Sequence, residues 1–407
     1  RWFLADGSTE KGDEEKSWVA PVFIGSDKGV APVFFLEQKR RQKVSCGSCG
    51  AGASWMKMNF GQHVPCRVLY PTTMLERLSK SMQSLPVEDR IGLLADSYAL
   101  CKAGAMEPLS LVKVLEGFRA EANDKVWAEL IAVLGGLDRV ARAGLEAETG
   151  AAYIAFVAKL VAPAFEKVGW EVQEGDDDNK KILRNILVNS LAKFCFKDPA
   201  ISAQALKYFE KFVAAPADDS SLNADIRPAV LRIAMQAEAS DAVFDKLLAA
   251  HDAVTDAAVR NHIYSALGSA PTPALKKRAL ELALSDKVRS QDLISIPATM
   301  AGNGKEGAEA VFAWTRDSYD QIHGRLGTTS MILFQHVVRI SGSGFVHAAK
   351  ADEVEAFWKS KDVYKMIEKT LSQTLESIRS NSKFAERLAK SELAKPAAWM
   401  TPDGSKL

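Results

Sequence analysis

Cysteine is scarce in this chain. Five residues among 407 are too few and too scattered for a disulfide framework, which favours a reducing compartment. Long apolar runs are missing as well. The longest, such as VFIGSDKGVAPVFFL over residues 22–36, are broken by charge or glycine short of the roughly 18 residues a membrane helix needs, so no membrane partner is expected. Neither charge sign dominates, with 52 Lys plus Arg against 51 Asp plus Glu; no overall positive field invites nucleic acid. The histidines stand at His63, His251, His262, His323, His336 and His347, none within a His-Glu-x-x-His helix pattern, and no serine occupies a Gly-x-Ser-x-Gly elbow. The chain is therefore expected to carry no catalytic residue and no cofactor of its own. No charged-then-apolar leader follows Arg1, and a chain that opens on arginine reads as a piece of something longer.

What is present is ordinary in bulk: hydrophobic residues make up 47% and charged ones 25%, enough for two or three globular domains. Hydrophobic patterning divides the chain near Tyr70. Before it, short runs such as WVAPVFIG, APVFFLEQ and SWMKMNF, separated by Gly, Ser and basic clusters, read as strands of a small sandwich. In SWMKMNF, Trp55, Lys57 and Asn59 alternate with Met56, Met58 and Phe60, giving one core face and one exposed face. After Tyr70 the period is helical to the end, in some fifteen short segments joined by brief turns. So many short helices cannot form one bundle and are expected to stack as hairpins. The expected fold is mainly α with a small β domain: an N-terminally truncated β-sandwich over 1–70, then a right-handed α–α superhelix of HEAT or armadillo type over 71–407. No strict repeat period shows. The acidic stretch EGDDDNKK (174–181) reads as a solvated loop between helices.

Four features invite a functional reading. Cys46-x-x-Cys49 followed by His63-x-x-Cys66 has donors suited to a structural zinc, against the plainer reading of unrelated thiols in a Gly/Ser loop. In SDKVRSQDL, Arg289, Gln291 and Asp292 gather at a helix entrance, where they either meet a substrate or simply cap a turn. The chain ends Ser405-Lys406-Leu407, a peroxisomal address if that terminus is native; without it a cytoplasmic location is expected. Finally, AGAMEP (103–108) imitates the Gly-x-Met-Glu-Asn strand with which one class of zinc aminopeptidases grips a free amino terminus.

The order of weaker motifs resembles the carboxy-terminal half of the aminopeptidase N-type zinc metallopeptidases, nearest the puromycin-sensitive subgroup. Arg67 and Tyr70 close the strand region; Asp89, Arg90, Leu93, Leu94 and Asp96 follow, then Gly104, Leu115, Glu121 and Trp127. ADIRPAV, SDKVRSQDL, WTRDSYDQI and the late AAWM extend the likeness over nearly the whole chain. One departure is Val64-Pro65-Cys66, where the family has an aromatic pair before the arginine. The resemblance implies a sandwich and an α-solenoid that cap the cleft of a catalytic domain. It also implies that the zinc, its His, His and Glu ligands and the amino-terminus-binding glutamate lie in that other domain. The implied partners are the parent's own catalytic domain and peptide substrates, with Arg289, Gln291 and Asp292 facing the cleft. A free-standing helical scaffold that binds proteins, or a relative that has lost its zinc ligands, fits the helical array equally. AGAMEP itself lies between two helical segments, with Gly104 placed to end one and Pro108 to begin the next, and reads as a turn.

Overall fold

The computed structural model describes residues 7–8, 19–37, 42–327 and 329–400. Among these the structure is mainly helical, with seventeen α-helices and a small β part. Contacts divide the chain into two compact units. The first holds the described residues up to Leu137 together with Ala151–Ile186 and the segment from Glu386 onward; the second holds Asp138–Gly150 and Leu187–Ala385.

The first unit begins with five short strands, β1 (Ala20–Val22), β2 (Ile24–Ser26), β3 (Gly29–Val30), β4 (Phe34–Leu36) and β5 (Met56–Met58). β1 pairs antiparallel with β4, Val22 opposite Phe34, while β2 lies between β3 and β5 and pairs antiparallel with both. Val22, Ile24, Ala31 and Cys49 form the small core of this region. Of the two faces offered by SWMKMNF, the polar one is buried: Trp55, Lys57 and Asn59 are inside, whereas Met56 and Met58 are half-buried. Helices α1 (Thr72–Lys80), α2 (Val87–Lys102), α3 (Pro108–Glu116), α4 (Asp124–Gly144), α5 (Ala147–Val168) and α6 (Asp178–Phe194) follow.

The acidic stretch before α6 is more built than a solvated loop. The Asp176 carboxylate is buried and meets the Arg184 guanidinium and, at 2.6 Å, the Lys180 ammonium. It also accepts the Gln173 N–H, while Asp177 caps α6 by accepting the Lys180 N–H. The Lys180 and Gln173 hydrogen bonds hold the Asp176 carboxyl well below the usual carboxylate range. A carboxyl depressed on folding contributes stability above its unfolded pKa, about 3.9, and loses it as pH falls further. Asp176→Asn should therefore flatten the stability–pH profile below about pH 4; an unchanged acid slope in urea unfolding would count against this assignment.

The second unit continues with α7 (Pro199–Ala214), α8 (Arg227–Glu238), α9 (Asp241–Ala253), α10 (Ala257–Leu267), α11 (Pro273–Leu284), α12 (Ser295–Ala301), α13 (Lys305–Asp317) and α14 (Tyr319–Ile322). A π-helical turn over His323–Gly327 precedes α15 (Met331–Ser341), α16 (Ala348–Lys359) and α17 (Tyr364–Ala389). The starts are written in the sequence. Side chains of Asp198, Ser240, Asp256, Thr272 and Ser330 accept backbone N–H groups at the entrances of α7, α9, α10, α11 and α15, and proline opens α7 and α11. Helices pack as neighbours and as next-but-one partners: α7 on α8, α8 on α10, α10 on α12 and α11 on α13. That pattern is a stack of hairpins in two rows.

Candidate functional site

Several of the residues that carry the family likeness meet at one joint in the first unit, between β5 and α2. Lys57 projects from β5 and Asp89 from the first turn of α2; their charged atoms lie 3.2 Å apart and both side chains are 0% exposed. The Lys57 ammonium also donates to the Met58 carbonyl, at 3.1 Å. Asp89 in turn accepts the Gly61 N–H, at 3.0 and 3.1 Å to its two oxygens. This last contact fastens a turn in which Asn59, Gly61 and Gln62 all have positive φ, of 50, 74 and 55°. Non-glycine residues seldom adopt that conformation unless their surroundings hold it. Asn59 helps by bracketing Val64, donating to its carbonyl and accepting its N–H. Gln62 lies so close to α2 that a Cβ on Gly92 would fall 2.1 Å from its amide, which would have to move aside.

A second contact repeats the logic about two turns along α2. Asp96 accepts from the Arg67 guanidinium at 3.0 Å and from the Val68 N–H at 3.1 Å. Burial raises the Asp96 carboxyl, and the Val68 and Arg67 hydrogen bonds oppose that rise. Tyr70 exchanges hydrogen bonds with both backbone groups of Met58, and burial holds its phenol far above the ordinary range. Further on, Arg90 pairs with Glu121 at 2.8 Å. Glu121 also accepts the Ala122 and Asn123 N–H groups at the start of α4, while its carbonyl accepts the Trp127 indole N–H. Arg67, Tyr70, Asp89, Arg90, Asp96, Glu121 and Trp127 are thus all engaged in holding elements together.

AGAMEP is the turn the sequence implies. Gly104 has φ +76°, and the Ala105 and Met106 N–H groups return to the Leu100 carbonyl at the end of α2, a left-handed helix cap. Pro108 is the first residue of α3. Arg387 adds a cap that sequence spacing does not reveal: its guanidinium donates to the Lys102 carbonyl, and its Cδ lies 3.0 Å from where a Gly104 Cβ would sit.

The Cys/His set does not assemble. Cys49 belongs to the strand core with Cys46 packed beside it, and the His63 ring lies 4.7 Å from Phe23. Cys66 is exposed. Among the described residues no three His, Cys, Asp or Glu side chains gather to hold a cation. Burial raises the Cys66 thiol and pushes those of Cys101 and Cys195 up to about 12, so none of these three is an activated nucleophile. A cleft of about 690 Å³ in the first unit is walled by Trp55, Phe60, Asp27 and several serines. Asp27 is already engaged by the Ser54 N–H and hydroxyl, which lower its pKa.

In the second unit, Arg289 and Asp292 pair with each other at 2.7 Å across a single 3₁₀ turn, Ser290–Asp292. The guanidinium is 47% exposed and the carboxylate 8%, while Gln291 is exposed. The loop that presents them is fastened by Arg325, which donates to the Ser285 and Val288 carbonyls, and by Lys287, which meets Asp252 at 2.6 Å. Asp252 is hydrogen-bonded to His251, whose other ring nitrogen meets the Tyr264 hydroxyl at 2.8 Å. Arg289 keeps donors for a carbonyl or carboxylate, but an always-charged guanidinium moves no proton. Arg325 was missed in the sequence because its partners are backbone carbonyls some forty residues earlier, at separations of 37 to 42. A Gly-x-Gly-x-x-Gly spelling is also present at Gly302–Gly307. It joins two helices rather than following a strand, and Gly307 is needed because a Cβ would strike the Met300 carbonyl at 2.0 Å. Ser405, Lys406 and Leu407 lie outside the described residues.

A family model described as the ERAP1-like C-terminal domain matches residues 55–380. The chain is similar to Aminopeptidase M1-B of Oryza sativa subsp. japonica, 27% identical over 398 residues that cover 95% of this chain and 44% of that protein. It is similar to Aminopeptidase M1 of Arabidopsis thaliana, at 28% over 412 residues, or 96% and 45%. To the Puromycin-sensitive aminopeptidase of Caenorhabditis elegans it is 25% identical over 402 residues, or 95% and 41%. The chain therefore spans less than half the length of these curated relatives.

Proposed function

Because this chain belongs to the ERAP1-like C-terminal domain family, we propose that it is the non-catalytic C-terminal region of a zinc aminopeptidase, the part that caps and shapes the substrate cleft of a separate catalytic domain. The observation that carries this reading is how the family-marking residues are used. Lys57–Asp89, Arg67–Asp96 and Arg90–Glu121 are ion pairs that fasten β5 and two neighbouring loops to α2, a use in shape rather than in acid–base chemistry. The donor set does not fit zinc either, since no cation-holding group of His, Cys, Asp or Glu forms among the described residues. In the parent, zinc in the other domain would activate a water for attack on the peptide bond.

Here the exposed Arg289 would orient a peptide through its carbonyl or carboxylate oxygens, on a loop fastened by Arg325 and Lys287. Exposed apolar residues in the strand region, Val19, Val30, Val33 and Phe35, support a covering partner there, assigned to the catalytic domain.

The chain alone should hydrolyse no aminoacyl reporter substrate and should purify without stoichiometric zinc. Co-expression with the part of its parent that bears His-Glu-x-x-His should restore turnover. Activity of the lone chain that survives stringent purification, or a parent sequence without that motif, would overturn the proposal.

A further inference from the structure

We infer that the second unit carries an electrostatic ladder through which ionic strength loosens one of its two helix rows and leaves the other closed. The inference stands on this chain's own contacts and does not depend on the aminopeptidase reading. One row consists of α7, α9, α11, α13 and α16, and α17 pairs with its last member. Ion pairs join each of these helices to the next. Glu210 of α7 meets Lys246 of α9 at 2.7 Å. Asp241 and Asp245 of α9 fork onto Arg278 of α11, the second at 2.7 Å. Lys276 of α11 meets Glu306 of α13 at 3.1 Å, and Glu309 of α13 meets Lys350 of α16 at 2.9 Å. Asp352 and Glu355 of α16 reach Arg379 of α17 at 3.3 and 2.8 Å. In every rung at least one partner is exposed to solvent.

The other row, α8, α10, α12 and α15, is joined differently. Val230, Ile233, Ile263, Leu267, Ile296 and Met300 are fully buried along it. Its polar links end on neutral acceptors: Arg232 on the Ser269 hydroxyl, Ser295 on the Asn261 amide and Asn303 on the Gly268 carbonyl. The Debye length falls from about 10 Å at 0.1 M salt to about 3 Å at 1 M, so exposed rungs weaken with salt while apolar contacts do not. Both rows bury apolar side chains, among them Phe209, Leu247, Ala279 and Val311 in the first, but only the first adds screened charge, so salt opens that row first.

Hydrogen exchange read by mass spectrometry, on the full chain at about 0.05 and 1 M NaCl, tests this. Exchange in α9, α11 and α13 should rise about 2–5-fold at high salt, with α8, α10 and α12 unchanged. Arg278→Gln should reproduce the rise in α9 and α11 at low salt. Because Arg278 also stacks on Phe244 at 4.2 Å, a Lys246→Gln/Lys350→Gln double variant is needed, with the same outcome expected in α7, α9 and α16. Equal acceleration in both rows, no salt response, or a full response that survives in a chain carrying all three substitutions would each overturn the inference.

Discussion

Asp89→Ala lowers the stability of the first unit by about 3–5 kcal/mol, because it leaves the Lys57 ammonium buried without a counter-ion. The large size follows from the location: neither side chain reaches water, so no solvent can replace the lost carboxylate. The substitution also strips the acceptor from Gly61 and frees the left-handed turn at Asn59–Gln62. Urea unfolding with hydrogen exchange resolved to β5 and α2 is the measurement, since a chain of two units need not unfold in one step. The paired replacement Lys57→Met with Asp89→Leu should recover much of the loss, as apolar substitutes for a buried ion pair often do. A cost below about 1 kcal/mol for Asp89→Ala would show that the pair is hydrated in solution.

Trp399→Ala should cost about 3–5 kcal/mol in the same unit. Trp399 is 1% exposed, although it stands eight residues before the chain ends. Its ring meets Tyr153 edge-on at 5.1 Å and Phe156 at 5.9 Å, and its indole N–H donates to the Leu393 carbonyl at 2.8 Å. Alanine removes the largest side chain of the closing segment and leaves a cavity against α5. Trp399→Phe, which keeps an aromatic ring but not the donor, should cost distinctly less. Exchange in α5 that is unchanged by Trp399→Ala would mean the segment after α17 does not seal this unit.

Much of this architecture is legible in the sequence, and the rest is hidden for physical reasons. Helix boundaries follow local rules that operate within one turn: the Asp198, Ser240 and Thr272 caps, Pro108 at the start of α3 and Gly104 at the end of α2. The shift from strand to helical period near Tyr70 is equally local. Lys57 was unreadable as a core residue because an isolated lysine in a strand signals a wet face, and only the fold supplies Asp89, thirty-two residues later. The ladder escaped notice because its partners sit about one hairpin apart, at separations from 24 to 41 residues, too uneven for a repeat pattern. The Cys/His set is the converse case. Its spacing is local and suggestive, yet Cys49 is drawn into the strand core while Cys66 remains at the surface. Residue type alone singles out Arg289 and Asp292, and their mutual pairing across a 3₁₀ turn is what the sequence could not display.

The Arg387 contact has a consequence in time. The carbonyl it caps, on Lys102, precedes it by 285 residues, and the segment from Glu386 onward belongs to the first unit, not to the second. A ribosome adding about 5–20 residues per second leaves the end of α2 without this cap for roughly 15–60 s. Throughout that interval the helices of the second unit emerge with most of their partners already made. The first unit therefore gains Arg387 and Trp399 only after the second unit has been synthesised.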